Sequence, residues 1–404
     1  MSTSLNAPES TSLSDVAKTF MRLGATAFGG PAAHIAVMED EFVRRRAWLS
    51  STEFVDLVSA SNLIPGPNST ELAMHIGQRR AGWPGLWVAG LAFVLPATIL
   101  VWGLAMLYVR VGRTPAVLGA LGGIQPVVLA VVVHALWRLR TVIGRSALHW
   151  TIAVGAAFAL VMGVHELLVL ALAGVLMALA ARLRSKPTTH DALPVLLPAA
   201  SEHTGMTSFG AGFARTVAAL GGAMVLTPPT VTALFVGFLK IGSVLFGSGY
   251  VLLALMRAEF VTRQQWLSEG QLLDAIAVGQ LTPGPLFSSA TFVGFLMLGH
   301  VGAIAATVGI FLPAFCFVAI SGPLVPRLRR SPTASALLDG VNVGSLAILT
   351  AVVLSLIPNV ATSALRVASF LVAFALLQRA TCSAGWLLAV GAAVGIVGQW
   401  LSSP

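Results

Sequence analysis

Two apolar stretches of this chain, 52–80 and 270–299, are each cut in the middle by Pro-Gly-Pro, at 65–67 and at 283–285. Proline has no amide hydrogen to donate and clashes with the preceding turn, so no helix continues through such a tripeptide. Each stretch must be two half-helices meeting at a non-helical tip. Longer apolar segments surround them, near 14–38, 83–109, 115–137, 147–163, 166–181, 231–256, 301–325, 335–357, 364–378 and 384–401. About 20 apolar residues span a bilayer. Unwound backbone is tolerated at that depth only where protein buries it or where it lines a polar cavity.

Composition agrees with a membrane setting. Only 10% of the 404 residues are Asp, Glu, Lys or Arg, against about 25% in a soluble protein, which is too little charge to cover a water-soluble globule. A cytosolic enzyme, a nucleic-acid-binding protein and a disordered chain are therefore excluded, and the net charge of +9 reads as basic cytoplasmic loops rather than a nucleic-acid surface. The polar N-terminal segment lacks the basic region, apolar run and cleavage site of a signal peptide and is expected to be a short retained tail. Cys316 and Cys382 lie far apart in apolar surroundings with no metal or redox spacing.

The two tips expose an internal repeat. A shift of 218 residues superimposes Phe28-Gly29 on Phe246-Gly247, Glu41-Phe42-Val43 on Glu259-Phe260-Val261, Trp48-Leu49-Ser50 on Trp266-Leu267-Ser268, and Asp56 on Asp274, with 18 identities in the 48 positions from 20 to 67. Beyond the tips the shift is 217, matching Gly82 to Gly299 and Leu95-Pro96-Ala97 to Leu312-Pro313-Ala314. We read residues 1–183 as one repeat, 184–229 as a linker with an amphipathic connector over 207–229, and 230–404 as the second repeat.

If each broken stretch enters and leaves on one side, each repeat crosses the membrane five times and the second must be inverted. Arg44, Arg45, Arg46, Arg79 and Arg80 then share a side with Arg138, Arg140, Arg145, Arg182, Arg184, Lys186, Arg327, Arg329, Arg330 and Arg379, leaving Arg110, Arg113, Arg257, Arg263 and Arg366 opposite. Fifteen against five is the bias expected of a cytoplasmic face. The expected fold is an all-α polytopic membrane protein of two inverted-topology repeats, each about five spans plus a re-entrant broken-helix pair.

Inverted repeats with matched broken helices mark secondary transporters, whose sites lie between the breaks. Arg22 and Lys240 are repeat mates (22 + 218 = 240) inside the first span of each copy, where a basic residue is costly. Either they form a cationic anion site, or each snorkels or pairs with a carboxylate such as Asp15. Helix starts after the tips add amides and hydroxyls suited to an anion: Gly66, Asn68, Ser69 and Thr70 in one copy, Thr282, Gly284, Ser288 and Ser289 in the other. Asn68 and Glu71 could instead form only a local capping box. Gly29, Gly30, Gly247 and Ser248 break the first helix of each copy, either to line the same site or to permit close packing. Glu71, Asp56, Asp274, Glu41, Glu259 and His75 are candidates for proton coupling or ion pairing. Catalytic, metal-binding and cofactor motifs are absent: there is no Gly-x-x-x-x-Gly-Lys-Ser/Thr loop, no His-Glu-x-x-His and no Gly-x-Ser-x-Gly.

Phe28-Gly29-Gly30-Pro31, Glu41, Trp48-Leu49 and Pro65-Gly66-Pro67-Asn68, repeated as Phe246-Gly247-Ser248-Gly249, Glu259, Trp266-Leu267 and Thr282-Pro283-Gly284-Pro285, resemble the chromate ion transporter family, in its long two-domain form. The resemblance implies a multi-pass protein of the bacterial inner membrane that exports chromate and confers chromate resistance, discussed as a chromate/sulfate antiporter or as driven by the proton-motive force. It implies chromate or a sulfate-like oxyanion as the partner; the composition itself calls for a lipid bilayer and no nucleic acid, and leaves a homodimer open. Transport of another tetrahedral oxyanion such as sulfate, or a membrane sensor or scaffold, are the alternatives.

Overall fold

The computed structural model describes residues 11–28, 30–111, 114–143, 147–184, 228–246, 249–329, 331–379 and 383–402. Every regular element among them is helical. The first repeat supplies α1 (Leu13–Thr26), α2 (Pro31–Glu39), α3 (Ser51–Ser61), α4 (Asn68–Val111), α5 (Pro115–Ile143), α6 (Ala147–Val161) and α7 (Glu166–Arg184). The second supplies α8 (Val231–Val244), α9 (Val251–Met256), α10 (Glu269–Leu281), α11 (Ser289–Arg329), α12 (Pro332–Val360), α13 (Ala364–Gln378) and α14 (Ala384–Ser402). The apolar stretches 14–38 and 231–256 are thus not continuous spans: each is broken near its Gly-rich motif, between α1 and α2 and between α8 and α9. The connector 207–229 lies almost wholly outside the described residues, as do Gly29, Gly247 and Ser248.

The repeated Glu-Phe-Val and Trp-Leu-Ser motifs build the same turn twice. A π-helical segment follows α2 at Asp40–Arg45 and α9 at Arg257–Arg263. Ala47 and Gln265 then take the left-handed region, with φ of 48° and 52°. The chain folds back so that the amides of Trp48 and Trp266 each donate 2.8 Å to the carbonyl of Phe42 and Phe260, with the indoles stacked on those phenyl rings. Ser50 with Glu53, and Ser268 with Gln271, close capping boxes that start α3 and α10.

Past each tip the chain reverses once more. Ala81 and Gly82 (φ 62°, ψ −154°) interrupt α4, and Leu298 and Gly299 (φ 61°, ψ −143°) interrupt α11. These dihedrals belong to glycine. The segments on either side fold into a tight helical hairpin, since a Cβ on Gly77 would strike the Gly85 carbonyl and one on Gly294 the Gly302 carbonyl. Arg79 at the end of the first arm pairs with Glu53 at the start of α3 at 3.0 Å. Arg46 and Arg80 both lie over the Trp48 ring, 5.1 and 5.4 Å from its centroid. The broken pair therefore begins and ends at one end of the molecule.

The repeats interlock rather than sit side by side. Helix α5 packs on α14, and its mate α12 packs on α7. At the crossings Gly391 meets the Gly123 carbonyl and Gly340 meets the Ala173 carbonyl, small residues letting backbones approach as membrane helices require. The crossing of α5 on α14 thus has its exchanged counterpart in the crossing of α12 on α7. Among the described residues five helices are long and apolar enough to cross a membrane, within Asn68–Val111, Pro115–Arg138, Glu166–Leu183, Leu286–Ser321 and Pro332–Pro358, with shorter apolar helices beside them. Large apolar side chains such as Ile99, Leu183, Ile320 and Leu371 face outward, the surface a bilayer covers.

Replacing Gly82 or Gly299 by Val should cost about 1–3 kcal/mol each through backbone strain, read as a lowered melting temperature in detergent. Gly103→Ala, where an added Cβ meets nothing within 4 Å, should not lower it.

Candidate functional site at the seam of the two tips

The tips meet the opposite repeat. Ala27 and Leu245 are the residues that cap the C-termini of α1 and α8, where helix carbonyls lack partners. The amide of Gly284, in the second tip, donates 2.9 Å to the Ala27 carbonyl, and the amide of Gly66, in the first tip, donates 2.8 Å to the Leu245 carbonyl. A Cβ on Gly284 would lie 2.7 Å from that of Ala97, and one on Gly66 would lie 3.2 Å from that of Ala314. The repeated Leu-Pro-Ala thus forms the wall behind the opposite tip. Gly30 (φ 80°) begins α2 beside this seam, with the Tyr250 hydroxyl 3.9 Å from its Cβ position.

The seam is buried and polar. Ser69, Thr70, Glu71, His75, Thr282, Ser288 and Ser289 are all buried. Two of the hydroxyls are held locally, Thr282 donating to the Gly279 carbonyl and Ser289 to the Leu286 carbonyl, and Ser69 bonds His34 Nδ1 of α2 at 3.2 Å. His34 Nε2 lies 3.1 Å from the Ala27 carbonyl. A carbonyl only accepts, so Nε2 carries the hydrogen and Nδ1 accepts from Ser69. Among the described residues Thr70 Oγ1, both Glu71 carboxylate oxygens, His75 Nε2 and Ser288 Oγ have no hydrogen-bond partner. The Asn68–Glu71 capping box does not form: Asn68 donates instead to Asn62 Oδ1 at 2.6 Å, and the Glu71 carboxyl lies against Gly66.

Arg22 and Lys240 are not directed at the tips in this conformation. Each holds the glutamate of its own π-helical segment, Arg22 to Glu41 at 2.5 Å and Lys240 to Glu259 at 2.7 Å. The partner is this glutamate rather than Asp15. Arg46 adds a second contact to Glu41 at 2.6 Å, and Arg263 a second contact to Glu259 at 2.5 Å. Arg263 also reaches Glu166, at the start of α7 in the other repeat, at 3.2 Å. Burial pushes the Glu41 carboxyl up, but the Arg46 hydrogen bond and the charges of Arg22 and Arg46 outweigh it and hold the carboxyl below its usual range. The same balance, with Lys240 and Arg263, lowers Glu259.

Asp56 and Asp274, mates in sequence, differ in setting. Asp56 is exposed. Asp274 is buried and accepts from Tyr108 at 2.9 Å and Gln125 at 3.2 Å, fastening α10 between α4 and α5 of the other repeat. Sequence reasoning missed both donors. The signals were there: Tyr108 is one of two tyrosines in the chain, and Gln125 interrupts an apolar run. It also missed the carbonyls of Ala27 and Leu245, which no side-chain pattern can reveal. Among the described residues no group of three or more His, Cys, Asp or Glu could hold a metal.

Apolar helices with outward-facing hydrophobic side chains, and broken helices meeting at a buried polar seam, define a polytopic membrane protein. The chain belongs to the chromate transporter family, whose model matches residues 14–179 and again 232–396. It is 33% identical over 338 residues to a chromate transport protein of Pseudomonas aeruginosa, covering 83% of this chain and 79% of that one. It is 30% identical over 344 residues to a chromate transport protein of Cupriavidus metallidurans, covering 83% and 80%. A probable chromate transport protein of Synechococcus elongatus is 28% identical over 342 residues, covering 83% and 82%. No solved structure matches the chain.

A lowered carboxylate contributes stability above its unfolded value and loses it as the pH falls through the folded value. Glu41→Gln should therefore melt below the wild type at neutral pH, and the gap should close as the pH drops below the ordinary carboxylate range. Glu259→Gln should show the larger gap, because Lys240 and Arg263 are 23% and 21% exposed against 52% and 31% for Arg22 and Arg46. Thermal melts of the two variants across pH check both points.

Proposed function

We propose that this protein is a secondary active transporter that exports chromate across the bacterial inner membrane and so confers chromate resistance. In this reading the repeats at 1–183 and 230–404 are inverted and joined by the 184–229 linker, and they rock against each other to expose the seam to one side at a time. The observation that carries the reading is the seam: two broken-helix tips, each bonded to the opposite repeat, with Thr70 and Ser288 hydroxyls buried and without partners. Family membership supplies the substrate class.

Chromate is a tetrahedral dianion, and it needs fixed donors and positive charge. The donors are the Thr70 and Ser288 hydroxyls and the helix starts that carry them, where the helix dipole favours an anion. Gly66 and Gly284 set the shape of the tips, their own amides being committed across the seam. Arg22 lies two residues before Gly24, whose carbonyl is 3.0 Å from the Cβ position of Gly284. In this proposal Arg22 and Lys240 supply the positive field around the seam and exchange partners with Glu41 and Glu259 as the repeats move. Glu41 and Glu259 thus act as counter-ions, and Asp274 acts as a fastening between repeats. The chain is a transporter and not an enzyme.

Labelled chromate offered to inside-out vesicles should accumulate, with sulfate competing according to how far the site tells the two oxyanions apart. Vesicles that take up sulfate and ignore chromate would make this a sulfate transporter. Arg22→Gln and Lys240→Gln, present at wild-type levels, should each lower the rate by about tenfold or more, as loss of a charge-assisted contact does. Full-rate export by the double variant would remove these residues from the site.

A further inference from the structure

The two copies differ most at the seam. With the offsets of 218 before the tips and 217 after them, His34 corresponds to Leu252, Ser69 to Leu286, Glu71 to Ser288 and His75 to Phe292. Every ionisable group in this set belongs to the first copy. Glu71 and Ser288 hold equivalent sequence positions after the two tips. Glu71 is fully buried, its carboxyl lies against the Gly66 backbone, and neither oxygen has a partner among the described residues.

The ionisable groups on elements packed against this arm of α4 do not neutralise it. On α1, Arg22 is held by Glu41, Asp15 faces Arg46, and Lys18 is exposed. On α2 and its π-helical segment, His34 is held by Ser69 and the Ala27 carbonyl, Glu39 and Asp40 pair with Arg44 and Arg45, and Arg46 is on Glu41. On α3, Glu53 pairs with Arg79, and Asp56 is exposed. On α10, Glu269 pairs with Arg257, and Asp274 is held by Tyr108 and Gln125. On α11, His300 bonds Trp102 and Cys316 is exposed. Within α4, His75 is one turn on, Arg80 lies over Trp48, and Arg110 is exposed at the far end.

We propose that Glu71 is the protonation site that controls oxyanion binding at the seam: the oxyanion is held while this carboxyl is a neutral acid. This rests on the seam being the oxyanion site. A carboxylate buried without a cation or donor is not sustained as an ion, so Glu71 is a neutral acid while the tips are closed. An oxyanion beside an ionised Glu71 would be repelled, whereas beside the neutral acid it meets a hydroxyl, as it does at Ser288. Oxyanion and proton therefore favour each other, and the coupling is reciprocal. When the seam opens to water the carboxyl releases its proton and becomes an ion, and an oxyanion is held again only once that proton is restored. The second copy, with Ser288 in this place, does not titrate.

The test is equilibrium binding of chromate to the purified full-length protein across pH. Wild type should bind chromate more weakly as the pH rises and Glu71 ionises. Glu71→Gln, a permanent mimic of the neutral acid, should bind chromate without the added pH dependence. Comparing the two proteins at each pH cancels the protonation of chromate itself. An unchanged pH slope in Glu71→Gln overturns the proposal. If that variant does not fold, the wild type decides, because a chromate affinity that does not weaken with rising pH, once the protonation of chromate itself is allowed for, overturns it as well. A wild type that does not bind chromate at any pH overturns the functional reading beneath it, an outcome distinguishable from the others.

Discussion

Everything at the centre of this protein hangs on two backbone hydrogen bonds, Gly66 to Leu245 and Gly284 to Ala27. Each ties a helix-breaking tip of one repeat to the bare C-terminal carbonyl of the other repeat's first helix. Broken backbone in a bilayer is tolerable only where partners replace the lost helical bonds, and here each break supplies the partner for another break. The tips are held at the seam, Leu-Pro-Ala walls them in, and the hydroxyls of the helix starts are buried there. A buried polar seam follows from geometry before any side chain is chosen for chemistry.

The charges of the protein are arranged around that seam and not inside it. Arg22, Lys240, Arg46 and Arg263 converge on Glu41 and Glu259 at the π-helical segments. Such a segment holds one residue more per turn than an α-helix, which swings the glutamate back toward the first helix of its own repeat. The two networks are alike in plan and unlike in reach. The second extends to Glu166 and joins the repeats, whereas the first is more exposed. Arg263 is shared between Glu259 and Glu166, so this one guanidinium serves a carboxylate of each repeat.

Much of this was legible in the sequence because the constraint was repeated. Pro-Gly-Pro located both tips, the matched Gly82 and Gly299 fell at both hairpin reversals, and the scarcity of charge placed the chain in a membrane. Arg22 and Lys240 were recognised as a pair, but their partners were not, because Glu41 lies 19 residues from Arg22 and only the π-helical segment brings them together. Glu71 was legible as a carboxyl near a tip. That it lies on the tip and forms no capping box depends on Asn68 turning to Asn62, which sequence does not specify. The exchanged contacts were out of reach for a simpler reason: backbone amides and carbonyls are the same in every residue.

The exchange of tips has an evolutionary reading. Because each copy offers one tip amide and accepts with one helix-end carbonyl, the interface is self-complementary, and two identical chains holding one copy each could close the same pair of bonds. Such an ancestor would be bound to symmetry, since any change at one tip appears at both. Joining the copies in one chain lifts that restriction. An acid can then arise after one tip while a serine stays after the other, and a symmetric pair becomes one whose two halves differ in chemistry.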